Sequence, residues 1–83
     1  MKLVLITVTG KRYDSEVRGV ILPGCDGEFS VWDFHQPFLY RLGPGAVGII
    51  ERGKRSFSPS LFITIKRGLA RMRGNTLTVL AEQ

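Results

Sequence analysis

An all-β domain, a sandwich or barrel of short strands, is the fold class that this 83-residue sequence predicts. Three observations predict it. Ten glycines and four prolines cut the chain into short pieces. The pieces between them are rich in β-branched and aromatic residues, and they recur at strand-like spacing. Two glycine-centred junctions read as hairpins, one at Gly53 and one at Gly74–Asn75, and Gly-Asn is a favoured two-residue turn pair.

The candidate strands follow in order as KLVLITVT, EVRGVIL, FSVWDF, FLYRL, AVGII, LFITIK and TLTVLA. The start, MKLVLITVTGKRYD, has a short apolar run broken by threonines and lacks a small-residue cleavage site. It therefore reads as a first strand rather than a signal peptide. The segment LFITIKRGLARMR is ambiguous. Leu61, Ile65, Leu69 and Met72 have near-helical spacing, whereas Leu61, Ile63 and Ile65 have strand spacing. Its β-branched residues and its central Gly68 favour two strands joined at the glycine. The chain reads as a single domain, residues 1–83, with no helical tail after TVLAEQ.

Size and composition narrow the possibilities. A chain this short buries only about 60% of the surface its unfolded form exposes, so a partner is an obvious support for its thin core. Cys25 has no second cysteine to pair with, which fits a reducing compartment. One Cys and one His cannot supply the usual four zinc ligands, and no stretch of eighteen apolar residues is present to span a membrane. Twelve basic residues against seven acidic ones give a charge of +5, which suits nucleic acid, an anionic surface or an acidic partner.

The stretch LPGCDGEFSVWDFHQP, residues 22–37, concentrates the sole Cys, Trp and His with three acidic residues. A carboxylate–His pair can do general acid–base work, and a small hydrolase built on His35 and Cys25 is one reading. No nucleophile motif supports it, and acidic residues in a glycine turn are ordinarily solvated surface. A phosphate loop is excluded, because the lysine-bearing motif and its following helix are both missing. In VWDF, Trp32 and Phe34 share one side of a strand, where a core role is the default for one and a contact surface is open to the other. The basic residues fall into Arg52, Lys54, Arg55 and Lys66, Arg67, Arg71, Arg73. The second group has no interleaved aromatics, so solvated strand edges are favoured over an RNA surface, and a small basic RNA-binding β domain stays as the alternative.

As one ordered series, LPGCDGEFSVWDFHQPFLYRLGPGAV resembles the signature of epsilon subunits of F-type ATP synthases. That pattern runs LPG-x-x-GE-x-G-V/I-x-PGH-x-P-L, then L-x-PG-x-V. The close, TLTVLAE, resembles the family's V-T-V-L-A-E/D. There are departures. Ser30 and Phe34 stand where the pattern has glycine, Asp33 where it has proline, and Arg71 where it has an acidic residue. The resemblance implies a flattened ten-strand β-sandwich, without the C-terminal helical hairpin. It implies a non-catalytic central-stalk subunit that joins the gamma subunit to the polar loops of the membrane c-ring. No cofactor, metal or nucleic acid is implied. The location would be peripheral, on the cytoplasmic face of a bacterial inner membrane. Carried over by position, Glu28 and His35 would contact the c-ring, with Trp32 or Phe34 adding apolar contact. Leu42, Val47 and Ile49 are suggested for the gamma-facing side. An exposed docking face would also favour self-association of the isolated domain.

Overall fold

The computed structural model describes residues 1–53 and 55–83, so Lys54 of the first basic group lies outside the described residues. Eight strands are formed among them: β1 (Lys2–Thr7), β2 (Gly10–Gly24), β3 (Gly27–Trp32), β4 (Phe38–Leu42), β5 (Gly45–Glu51), β6 (Leu61–Ile65), β7 (Arg67–Arg73) and β8 (Thr76–Glu82). The hydrogen-bonded order is β1-β8-β7-β4-β2-β5-β6, with β3 beside β2 and a further β1–β2 pairing that closes the ring.

Among the described residues there are eight strands rather than ten, and the merging of two strands into the long β2 accounts for one of the two. Strand β2 is 15 residues long. Its first part pairs with β1 from Gly10 to Glu16, and its second part pairs with β5 and β3 from Val17 to Gly24. One continuous strand thus serves both layers. The register slips between Val17 and Gly19, and such a bulge bends a strand and increases its twist. The first layer holds β4, β7, β8, β1 and the start of β2; the second holds β3, the end of β2, β5 and β6.

Side-chain alternation fills the space between the layers. Leu3 and Leu5 meet Leu77 and Val79 from β8, Ala70 and Met72 from β7, and Val20 and Leu22 from β2. Val31, Leu42, Val47, Ile49 and Ile65 complete this core. Phe29, Phe38 and Tyr40 seal the side where β3 and β4 approach, with ring centroids 5.9 Å apart for Phe29–Phe38 and 4.9 Å for Phe29–Tyr40. Met1 is buried as well. Its amine donates to the Val17 carbonyl and to the Asp33 carboxylate, which ties the turn after β3 to the body.

Both hairpins form. Gly74 and Asn75 have φ of 58° and 56°, the left-handed pair that a tight two-residue turn requires, and Arg73 pairs with Thr76 across it. At the other junction β5 and β6 pair from Gly45–Ile65 to Ile49–Leu61, so Gly53 belongs to a longer loop. That loop folds back onto its own sheet, where Pro59 lies against Gly48. In LFITIKRGLARMR the strand reading holds, but the break falls at Lys66, and Gly68 lies inside β7. Its glycine is needed for a different reason. A Cβ at Gly68 would sit 2.5 Å from the Leu80 carbonyl oxygen of the neighbouring strand.

Two measurements check this fold. Gly68→Ala must push β7 and β8 apart, and an overpacked site typically costs about 1–3 kcal/mol; urea denaturation should show that loss, and an unchanged midpoint would contradict it. The second concerns Asp33, whose carboxyl the Met1 amine holds below the usual carboxylate range, with Arg52 and Asn75 adding to the effect. A carboxyl lowered on folding stabilises above its unfolded pKa of about 3.9, and that contribution is lost as pH falls through the lower folded value. Asp33→Asn is therefore expected to flatten the decline of Tm below about pH 4, modestly because the pair is partly exposed. Parallel Tm–pH curves would contradict it.

Candidate functional site

The residues of LPGCDGEFSVWDFHQP are spread out by the strand they form. Glu28, Ser30 and Trp32 alternate along the outward face of β3, while Phe29 and Val31 turn inward. At about 3.3 Å per residue, Glu28 and Trp32 stand roughly 13 Å apart. Glu28 lies beside the β2–β3 turn, which carries the exposed Cys25 and Asp26. His35 lies past the opposite end of β3. The sequence cluster is therefore two sites at two ends of one strand, and Cys25 has no histidine near it.

Trp32 is 39% exposed and Phe34 is 82% exposed, so neither takes the core role expected for one of them. The reason is local. Val31 takes the last inward position of β3, and the strand stops at Trp32. The Trp32 ring covers Gly19, where a Cβ would meet ring carbons at 2.7 Å. Its indole N–H donates to the Ser30 hydroxyl at 3.2 Å, and Phe57 packs edge-on at 6.3 Å. The Arg18 guanidinium stacks over Phe57 at 4.7 Å, a cation–π contact. A small aromatic platform thus stands on the outer face of the second layer.

The turn beyond it is held at several points. The Asp33 carboxylate binds the Met1 amine. The Phe34 N–H donates to Asn75 Oδ1 at 2.8 Å, and the His35 N–H donates to the Trp32 carbonyl at 3.2 Å. This pinning keeps Phe34 at φ 61°, a left-handed conformation that costs a bulky L-residue about 1–2 kcal/mol. The same position is glycine in the epsilon-type pattern. A strained, exposed aromatic side chain is thus fixed at one end of the sandwich. The His35 ring is placed by Phe38, edge-on at 5.2 Å, and its Nδ1 lies 2.9 Å from the Gln36 carbonyl oxygen. Among the described residues no carboxylate orients the imidazole, and Asp33 is already engaged by the amine. The arrangement presents contact groups rather than an acid–base pair.

The suggested gamma-facing residues are corrected by their burial. Leu42 is 2% exposed, and Val47 and Ile49 are fully buried between the layers. Truncating such side chains typically costs about 2–5 kcal/mol of stability, so these positions report on folding and cannot touch a partner. Sequence reasoning missed the outward apolar row of half-buried Ile6 with exposed Leu69 and Leu80 on the first layer. Its signal was the inward alternation of β1, β7 and β8, which leaves those three residues on the outward parity.

The family described as "ATP synthase, Delta/Epsilon chain, beta-sandwich domain" matches residues 1–83. The ATP synthase epsilon chain of Maricaulis maris is 33% identical over 81 residues, which cover 95% of this chain and 56% of that one. The epsilon chain of Helicobacter acinonychis is 30% identical over 82 residues, covering 99% and 63%. The chain thus spans little more than half the length of these curated relatives. Among solved structures, a chain of the Tetrahymena thermophila mitochondrial ATP synthase central stalk and c-ring superposes with a TM-score of 0.82 at 14% identity, covering 99% of this chain and 63% of that one. A chain of the Euglena gracilis mitochondrial ATP synthase superposes with a TM-score of 0.81 at 16% identity, covering 98% and 49%. At these identities the superpositions show a shared fold. The match over the whole chain places it: this chain belongs to the family of ATP synthase delta/epsilon β-sandwich domains.

Proposed function

We propose that this domain is a non-catalytic part of the rotating central stalk of an F-type ATP synthase, standing between a gamma-type subunit and the polar loops of the c-ring. The observation that carries the reading is the family match over residues 1–83. The physics agrees with a mechanical role. Two strand layers locked by a shared β2 make a stiff body, and a stiff body transmits torque without storing it in internal motion. In this role the domain associates with the membrane through the complex, on the cytoplasmic face of a bacterial inner membrane.

The ring-facing groups are the outward row of β3 and the turn that follows it. Glu28 offers a carboxylate at one end; Trp32, Phe34 and His35 offer two aromatic faces and an imidazole at the other. The strained Phe34 supports this assignment. Non-glycine residues kept in sparsely populated backbone conformations cost about 1–3 kcal/mol, persist only where the surrounding structure holds them, and cluster at functional sites. Exposure of 82% means that Phe34 recovers little of that cost inside this domain.

Two variants test the reading in a complex rebuilt from purified c-ring, gamma-type subunit and this chain. A solvent-exposed charge contact is worth about 0–1 kcal/mol. Glu28→Ala with His35→Ala should therefore weaken ring attachment up to roughly thirtyfold, with near-additive effects because the two sites are well separated. Undiminished attachment would remove them from the contact. Phe34→Gly relieves the left-handed strain, so it should raise the stability of the isolated domain by about 0.5–1 kcal/mol while weakening ring attachment. A variant that is more stable and attaches equally well would leave Phe34 without a docking role. Failure of the wild-type chain to join either subunit would overturn the stalk reading itself.

A further inference from the structure

The two outer faces of the sandwich differ. On the second layer the chain covers itself: the loop after β5 lays Pro59 on Gly48 and Phe57 beside Trp32, and Ile50 beneath is 1% exposed. On the first layer, among the described residues, no segment lies over the sheet. There the register aligns Ile6 with Leu80, Leu80 with Leu69, and Leu69 with Arg41 in one row across four strands. The next row runs Val4, Thr78, Arg71 and Leu39, and a third holds Lys2, Thr76 and Arg73. Leu80 is 50% exposed, Leu69 41% and Leu39 69%. The first row floors an open groove of about 840 Å³.

Charge on this face is mainly basic, with Asp14 engaged by Lys2 and Lys11. Among the described residues, Arg41, Arg71 and Arg73 form no ion pair, whereas Arg67 is held by Glu82 at 2.9 Å. Arg71 replaces the acidic residue of the epsilon-type pattern. Arg41 stands diagonal to Arg71, and Arg71 and Arg73 lie two residues apart on β7, so the three guanidiniums share one side of the sheet with no carboxylate opposite any of them. An apolar row beside uncompensated arginines fits a partner that is apolar along one line and acidic beside it.

The dimensions fit a helix. Three strands at about 4.8 Å spacing span roughly 10 Å, and two turns of α-helix cover about the same length. Arg41 ends the apolar row itself, Arg71 stands two residues along β7, about 7 Å to one side, and Arg73 four residues along, about 13 Å, so their long side chains line one flank of an apolar helical stripe. We propose that the outer face of the first layer docks an acidic amphipathic helix of a partner protein, with Ile6, Leu69 and Leu80 meeting its apolar stripe and Arg41, Arg71 and Arg73 meeting its carboxylates. This deepens the stalk reading by stating the chemistry that the second partner must bring, and its binding can be measured whichever subunit supplies the helix.

The test uses two labelled helical peptides of about 18 residues, five turns, with the same leucine stripe but flanked by Glu in one and by Lys in the other. The purified chain should bind the Glu-flanked peptide at least about tenfold tighter than the Lys-flanked one, and salt should weaken that binding. Combining Arg41→Glu, Arg71→Glu and Arg73→Glu should reverse the preference, and the gain for the Lys-flanked peptide would show that the variant is folded. Leu80→Ser should weaken the preferred complex without reversing it. Equal affinity for both peptides, no binding of the Glu-flanked one, or an unchanged preference in the triple variant would overturn the proposal. Polyuridylate binding that depends on the arginines, survives Leu80→Ser and displaces the Glu-flanked peptide would also overturn it, in favour of nucleic acid. None of these results bears on attachment to the c-ring through β3, so the stalk reading stands or falls separately.

Discussion

Everything in this domain depends on β2 belonging to both layers at once. A chain of this size has too few residues to build two independent sheets and a core between them. A single 15-residue strand, bent at the Val17–Gly19 slip, resolves the conflict by giving each layer a pairing edge. The bend has a second consequence. Gly19 there lacks a side chain, and the space is filled from outside by the Trp32 ring. The position of Trp32 fixes where β3 ends, and that fixes where the turn carrying Phe34 and His35 emerges. The geometry of the candidate ring contacts is thus inherited from a folding constraint in another strand.

The same economy assigns function to the outward faces. Every inward position is consumed by packing, so side chains such as Val47 and Ile49 have no second role to play. What remains is one face partly covered by its own loop and carrying exposed Phe57 and Phe62, one open apolar face with excess arginine, and the end of the sandwich with a pinned aromatic. The ion pairs on these surfaces are exposed, and such pairs contribute little to stability. Surface charge here is better understood as a description of the partners than as support for the fold.

Much of this was legible in the sequence, and its limits have physical causes. The strands were legible because period-two alternation and glycine turns are local, and Gly74–Asn75 adopts the turn that its composition required. The core face of β5 was not legible. Val47, Gly48, Ile49 and Ile50 are all buried, two between the layers and two beneath the returning loop, so alternation there carries no contrast. That loss is why Val47 and Ile49 resembled candidates for an outer face. Glu28 and His35 looked like neighbours because sequence distance was short, yet an extended strand converts each residue into about 3.3 Å of separation. Phe34 was placed on the strand by its alternation with Trp32. Only the backbone reveals that the strand had already stopped.

The central claim is that this sandwich is held at two places on its outside, along β3 with the Phe34 turn and across the outer face of the first layer. Amide hydrogen exchange of the chain, free and within a complex assembled with c-ring and gamma-type subunit, tests that most directly. The account predicts slowed exchange on assembly in residues 28–36 and in the outer-face segments of β1, β7 and β8, with little change in the loop between β5 and β6. Protection confined to that loop and β6, with the β3 end and the first-layer face unaltered, would contradict it.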